Sequence, residues 1–180
     1  VEIWKQCQIP LKGKSKSKWL AYYMAMRAKV FDEWVKRHVN EDTVVLHLGC
    51  GLDSRVYRVN ANCQWYDVDF EEVILERKKY FLESNTYHMV ASDVRDTSWL
   101  NNINCSKALI VMEGISMYLT NDECKQLFKE LTNCFEKVHI LVDVYSEFAA
   151  KASKYKNPIN DVGVHTVYGL DNPKYFLLNS

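Results

Sequence analysis

A chain of 180 residues, 48% hydrophobic and 26% charged, fits one ordinary globular domain. Its 23 Lys and Arg balance 23 Asp and Glu, which argues against a nucleic-acid binder, because such a surface carries a basic excess. No apolar run reaches the roughly 20 residues a membrane helix needs and no signal-peptide core opens the chain, so a cytoplasmic protein is expected; the start at Val1 reads as that of a processed or partial chain.

Residues 1–17 have no periodic pattern and end in Lys12-Gly13-Lys14-Ser15-Lys16-Ser17-Lys18, read as solvated surface. From Lys18 to about His38 the spacing is helical, with Leu20, Met24, Phe31, Trp34 and Val35 on one face. Arg27 falls in the middle of that face, where a guanidinium must snorkel to water, pair with an acid or meet an anionic ligand. Thr43–Leu48 is an apolar, β-branched run expected as a buried strand, and it ends in Gly49-Cys50-Gly51-Leu52-Asp53-Ser54. A second strand is expected over Gln64–Asp69 and a helix over about Glu71–Glu83, with Val73, Ile74, Arg77 and Phe81 on one side. A third strand covers Tyr87–Ala91 and a fourth Lys107–Met112. Thr120 and Glu123 have the spacing of a capping box. The helix behind them would bury Cys124, Leu127, Phe128, Leu131 and Phe135. A fifth strand is expected over Val138–Val144 and a helix over Ser146–Tyr155. Val164–Tyr168 and Tyr175–Leu178 are faint strand candidates.

Strands alternating with helices imply a parallel sheet covered on both faces. The expected fold is therefore one doubly wound α/β unit. Residues 1–42 form an N-terminal extension and lid helix, and residues 43–180 the α/β domain. The six cysteines show no C-x-x-C pair or zinc-ligand spacing and read as small buried hydrophobes in a reducing compartment, with no metal expected.

In such a sheet, ligands sit at the carboxyl ends of the strands. The sequence places Gly49-Cys50-Gly51 at the first end, Asp67 and Asp69 at the second, Asp93 at the third and Glu113 at the fourth. Glycines let a ligand approach the backbone, and an acid about twenty positions on can accept both ribose hydroxyls. That order fits an adenosine cofactor, either NAD or S-adenosylmethionine. The third small residue of the dinucleotide fingerprint is replaced by Ser54, and Asp53 before it would repel a pyrophosphate. S-adenosylmethionine is favoured, and Arg27 would then meet the carboxylate of its methionine moiety.

Leu48-Gly49-Cys50-Gly51-Leu52-Asp53-Ser54-Arg55 resembles the LGxGxDT(R) signature of the leucine carboxyl methyltransferase family. Tyr66–Phe70 is similar to that family's EVDxP motif, Ala91–Asp96 to ADLRD, Glu113–Leu119 to EGxLMYL, and Met26–Asp32 to its xRxxxFD helix. The resemblance covers about residues 20–170. It implies the Rossmann-like fold of class I S-adenosylmethionine-dependent methyltransferases and O-methyl transfer to a carboxylate, of a polyketide-like small molecule rather than of a protein C-terminus. It further implies that Arg27 pairs with the cofactor carboxylate and that Gly49, Cys50 and Gly51 line the methionine and ribose. Asp69 would hold the ribose, Asp93 and Val94 the adenine, and Glu113 the amino group, with Tyr118 near the acceptor. Asp67 is read as a helix cap or surface acid and His47 as a core residue. No histidine falls in a strand-end motif, which fits an acceptor that is already ionised at neutral pH. A cofactor-binding protein without turnover and an NAD-dependent oxidoreductase are the alternatives.

Overall fold

The computed structural model describes residues 18–153 and 166–176. The lysine-rich run before Lys18, Cys7, and the candidate strand residues Val164, His165, Leu177 and Leu178 lie outside the described residues. Helix α1 (Lys18–His38) leads into β1 (Thr43–Leu48), followed by α2 (Arg55–Val59), β2 (Gln64–Asp69) and α3 (Glu71–Arg77). The chain continues through β3 (Tyr87–Ala91), a short 3-10 turn at Ser98–Asn102, β4 (Lys107–Met112) and a second 3-10 turn at Ser116–Tyr118. Helix α4 (Asn121–Cys134), β5 (Lys137–Val142) and α5 (Glu147–Ser153) follow, with a last 3-10 turn at Pro173–Phe176.

The five strands are all parallel, in the order β3-β2-β1-β4-β5. The doubly wound expectation therefore holds. The order reverses between β1 and β4, which opens a crevice at their carboxyl ends. All six residues of β1 are buried, as a central parallel strand requires. Alternation along the strands divides the interior in two. Val44, Leu46, Leu48, Ile110 and Met112 pack with Leu127, Phe128 and Leu131 of α4. Val45, Trp65, Leu109 and Val111 pack with Phe31, Val35, Ile74 and Phe81.

Several boundaries differ from expectation. Helix α3 stops at Arg77 rather than Glu83. The chain turns there with the Phe81 amide donating to the Arg77 carbonyl, so Phe81 stays on the buried side. Strand β5 ends at Val142, which leaves Asp143 beyond the strand rather than inside it. Helix α2 matches no expected element. Thr120 and Glu123 form both bonds of the capping box. In the tail, residues 166–170 form no strand and contribute single bonds, Tyr168 N–H to Met117 O and Leu170 N–H to Tyr145 O, and Tyr175 lies in a 3-10 turn. Cys50, Cys63 and Cys124 are buried, Cys105 is half-buried and Cys134 is exposed, and all five are free thiols.

Candidate active site

The turn after β1 depends on glycine. Gly49 and Gly51 have φ of +66° and +51°, in the left-handed region that L side chains rarely adopt. A Cβ on Gly49 would lie 2.1 Å from Ile115 Cγ2, so that strand end can approach the loop after β4 only with hydrogen there. On Gly51 a Cβ would meet nothing within 4 Å, because this side of the turn is open. The Gly51 amide donates to Asp69 Oδ2 at 2.8 Å, and the Phe70 amide donates to Asp69 Oδ1 at 2.8 Å. The carboxylate at the end of β2 is thus oriented by two backbone donors, and each oxygen keeps a lone pair for a ligand.

Two cavities meet at Gly49. One, of about 310 Å³, is lined by Asp69, Asp93, Val94, Ile115 and Tyr118 among others. The other, of about 330 Å³, is lined by Arg27, Cys50, Asp53, His47, Arg58 and Glu113 among others. Every candidate named from the sequence lies at this crevice; Gly51 reaches it through its bond to Asp69. Asp93 is gripped by Arg95, whose Nε lies 2.9 Å from Oδ1, and the bonds to that guanidinium hold its carboxyl below the usual range. Burial, together with the charge of Asp67, pushes the Cys50 thiol upward, so it stays protonated and unreactive. Tyr118 is 41% exposed, and burial and neighbouring Tyr145 raise its hydroxyl pKa.

Arg27 meets acids of its own chain. Its Nε donates to Glu113 Oε1 at 2.8 Å and its Nη1 to Asp143 Oδ2 at 2.9 Å. Asp143 Oδ1 also accepts the Gly114 amide at 2.7 Å. Internal pairing, one of the outcomes open for a guanidinium on an apolar face, is therefore realised. Asp143 thereby joins the candidate site through Arg27, and it was hidden because strand β5 was expected to run past it.

Arg55 was also missed. It is completely buried and binds Asp32 Oδ1 at 2.7 Å and Glu113 Oε2, with His47 Nε2 3.2 Å from its Nη1. Arg58 holds the other side of Asp32 and reaches Asp53. With Arg55 and Arg58 beside it, Asp53 is charge-balanced. Burial alone would raise its pKa, but these partners and His47 lower it. Asp53 therefore exerts less repulsion on an incoming phosphate than the sequence argument supposed.

The reading of Asp67 as a helix cap or surface acid is corrected. Asp67 is completely buried and paired with Arg77, also completely buried. Tyr87 Oη and Trp65 Nε1 donate to it at 2.7 and 2.9 Å, and His47 Nδ1 lies 3.0 Å away. A mid-strand residue of β2 points across the sheet into the α1 and α3 layer, where a carboxylate needs this many partners. His47 is the core residue expected of it, with both ring nitrogens engaged, although its edge also borders the larger cavity.

Solved structures share this architecture at low sequence identity. Magnesium protoporphyrin IX methyltransferase (ChlM) of Synechocystis PCC 6803, with bound SAH, superposes with a TM-score of 0.55 at 11% identity, covering 88% of this chain and 73% of that one. The glycopeptide N-methyltransferase MtfA, complexed with S-adenosyl-L-methionine, gives 0.50 at 15% identity over 69% of this chain and 57% of that one. By sequence, the tetracenomycin polyketide synthesis O-methyltransferase TcmP of Streptomyces glaucescens is 30% identical over 84% of this chain and 58% of its own length. The S-adenosyl-L-methionine-dependent methyltransferase dpfgK of Gibberella zeae is 26% identical over 89% of this chain and 60% of its own. The chain thus spans about three fifths of these relatives. The profile of the leucine carboxyl methyltransferase family matches residues 3–132, and with this sheet order and this crevice the chain belongs to that family.

Proposed function

We propose that the chain binds S-adenosylmethionine and serves in O-methyl transfer to a carboxylate of a small organic acid. The observation that carries this reading is the Gly51–Asp69 pair, set at the carboxyl ends of β1 and β2 beside two cavities that meet at Gly49. The residues present fit the cofactor. The open side of Gly51 admits a ligand at the backbone, Asp69 offers lone pairs to a ribose, and the smaller cavity runs from Asp69 to Asp93 and Val94, where an adenine would lie. Arg27 and Glu113 in the adjoining cavity supply a cation and an anion for a zwitterionic amino acid tail.

When bound, S-adenosylmethionine supplies an electrophilic methyl group on a sulfonium sulfur. What remains for the chain is to hold acceptor and methyl group in line, because transfer is a displacement whose rate depends on near-contact alignment. Tyr118, at the rim of the smaller cavity, is the candidate for that positioning. A carboxylate acceptor is ionised at neutral pH and needs no proton removed. His47 does not serve as a base in this reading, since Asp67 and Arg55 occupy both of its nitrogens. The name of the Streptomyces relative supports a polyketide-like acid as acceptor, and the free thiols support a cytoplasmic setting. No helix among the described residues is long and apolar enough to cross a membrane.

Calorimetric titration tests the cofactor, and a methyl-transfer screen of aromatic carboxylic acids against phenols tests the acceptor. Saturable S-adenosylhomocysteine binding with no NAD binding, and turnover of acids alone, is the expected result. NAD binding without S-adenosylhomocysteine binding would overturn the reading.

A further inference from the structure

Arg55 touches neither cavity, yet it binds an acid that does. It is the first residue of α2, completely buried, and its three nitrogens reach four structural elements. Nε donates to Asp32 Oδ1 of α1 at 2.7 Å, and Nη1 lies 3.2 Å from His47 Nε2 of β1 and 3.3 Å from Asp53 Oδ2 of the glycine turn. Nη2 donates to Glu113 Oε2 at the end of β4. The other Glu113 oxygen, Oε1, takes Arg27 Nε at 2.8 Å. Glu113 is therefore held by two guanidiniums, Arg55 from the buried side and Arg27 from the cavity side.

We propose that Arg55 is a positioning residue that fixes the ionised Glu113 carboxylate to receive the α-amino group of the cofactor. The proposal rests on the reading of the site as one for S-adenosylmethionine. A carboxylate oxygen accepts two hydrogen bonds, so Glu113 can bind both guanidiniums and still receive an ammonium. An acid pinned through one oxygen to a fully buried planar donor cannot rotate away. Lysine cannot reproduce this role. It would bring one charge on a flexible stem, without the fork that spans Asp32 and Glu113 together.

The test compares two ligands in calorimetry on the full chain. S-adenosylhomocysteine carries the amino acid tail; 5′-methylthioadenosine keeps the adenosine and lacks the tail. Arg55→Lys and Arg55→Met are each expected to weaken S-adenosylhomocysteine about tenfold or more while leaving 5′-methylthioadenosine within about twofold of wild type. With Glu113→Gln already present, Arg55→Lys should cause little further loss, because the two residues act as one unit. Equal losses for both ligands, or additive losses in the double variant, would overturn the proposal and make Arg55 a support of the fold alone. If Arg55→Met does not fold, the Lys variant and its double carry the decision. A wild-type chain that binds 5′-methylthioadenosine and S-adenosylhomocysteine equally would overturn the role given to Glu113, and with it the proposal. A wild-type chain that binds neither would instead refute the cofactor reading.

Discussion

Asp69 Oδ2 accepts the Gly51 amide at 2.8 Å, which ties the end of β2 to the turn after β1. The tie sets a carboxylate at the mouth of the crevice in the orientation of an acceptor. Asp67, two residues earlier, is completely buried among Arg77, Tyr87, Trp65 and His47. Two acids on one face of the same strand thus differ by depth, Asp67 sealed inside the layer and Asp69 at the strand end beside the cavity.

Their variants should separate cleanly. Asp69→Ala should weaken S-adenosylhomocysteine binding by about 1.5–3 kcal/mol, the range for hydrogen bonds to a charged group, with a small change in melting temperature. Isothermal titration checks this. An unaltered affinity would remove Asp69 from the site.

Asp67→Ala acts on the fold instead. It leaves Arg77 charged and without its acid in a completely buried position, and breaking such a pair costs about 3–5 kcal/mol. Urea unfolding should show that loss, and Arg77→Met should show one of similar size. A variant at either position with wild-type stability would contradict the buried pairing.

Acid should unfold the chain through the same group. Burial alone would raise the Asp67 pKa, but His47, Arg77 and Tyr87 outweigh it and hold the carboxyl below its ordinary value. A depressed native pKa means that the unfolded state binds the proton more readily. The stabilisation is complete above the unfolded carboxylate pKa of about 4 and is lost as pH falls through the lower native value. Asp53 is shifted the same way and contributes in the same window. Stability measured from pH 7 down to 2 should fall steeply at the acid end for wild type and less steeply for Asp67→Asn, which starts from a lower plateau.

The sheet was legible because its signal is periodic. Buried β-branched runs and glycine turns mark β1 to β4 within a residue, and Thr120 with Glu123 marks the start of α4. The candidate site was legible where a strand end coincides with a chemical residue type, as at Asp69, Asp93 and Glu113, which line the crevice. Asp143 obeys the same rule and was lost to a strand boundary set two residues too far. The buried ion pairs were harder, since each joins residues distant in sequence and one sequence shows only half of a pair. Arg77 already sat on the apolar side of its helix, and asking which acid it meets would have pointed to Asp67. Arg55 lay inside the recognised motif, but nothing local distinguishes a guanidinium facing a ligand from one facing Asp32. Helix α2, at five residues, is too short to show a period.

Arg27 is where the readings left open by the sequence lead to opposite stability predictions. On an apolar helical face with no visible partner, a guanidinium is a liability, and Arg27→Met should then stabilise the ligand-free protein. The structure supplies Glu113 and Asp143 as partners at 2.8 and 2.9 Å, with all three side chains under 20% exposed. Burial would lower the Arg27 pKa, but these two acids reverse that and raise it. Methionine would leave Asp143 without its cation and Glu113 with only one of two, so Arg27→Met should destabilise the ligand-free protein by about 1–3 kcal/mol. Its Nη2 makes no hydrogen bond among the described residues, and Arg27 lines the larger cavity, so the two N–H groups of Nη2 can face a ligand carboxylate. Arg27→Lys keeps the charge but cannot serve both acids and a ligand at once. It should lower S-adenosylhomocysteine affinity about tenfold and leave 5′-methylthioadenosine unchanged. Melting curves of the ligand-free variants together with both titrations check these outcomes. A Met variant more stable than wild type would show that the acids do not hold Arg27 in solution, and a Lys variant that weakens both ligands equally would exclude a contact with the cofactor carboxylate.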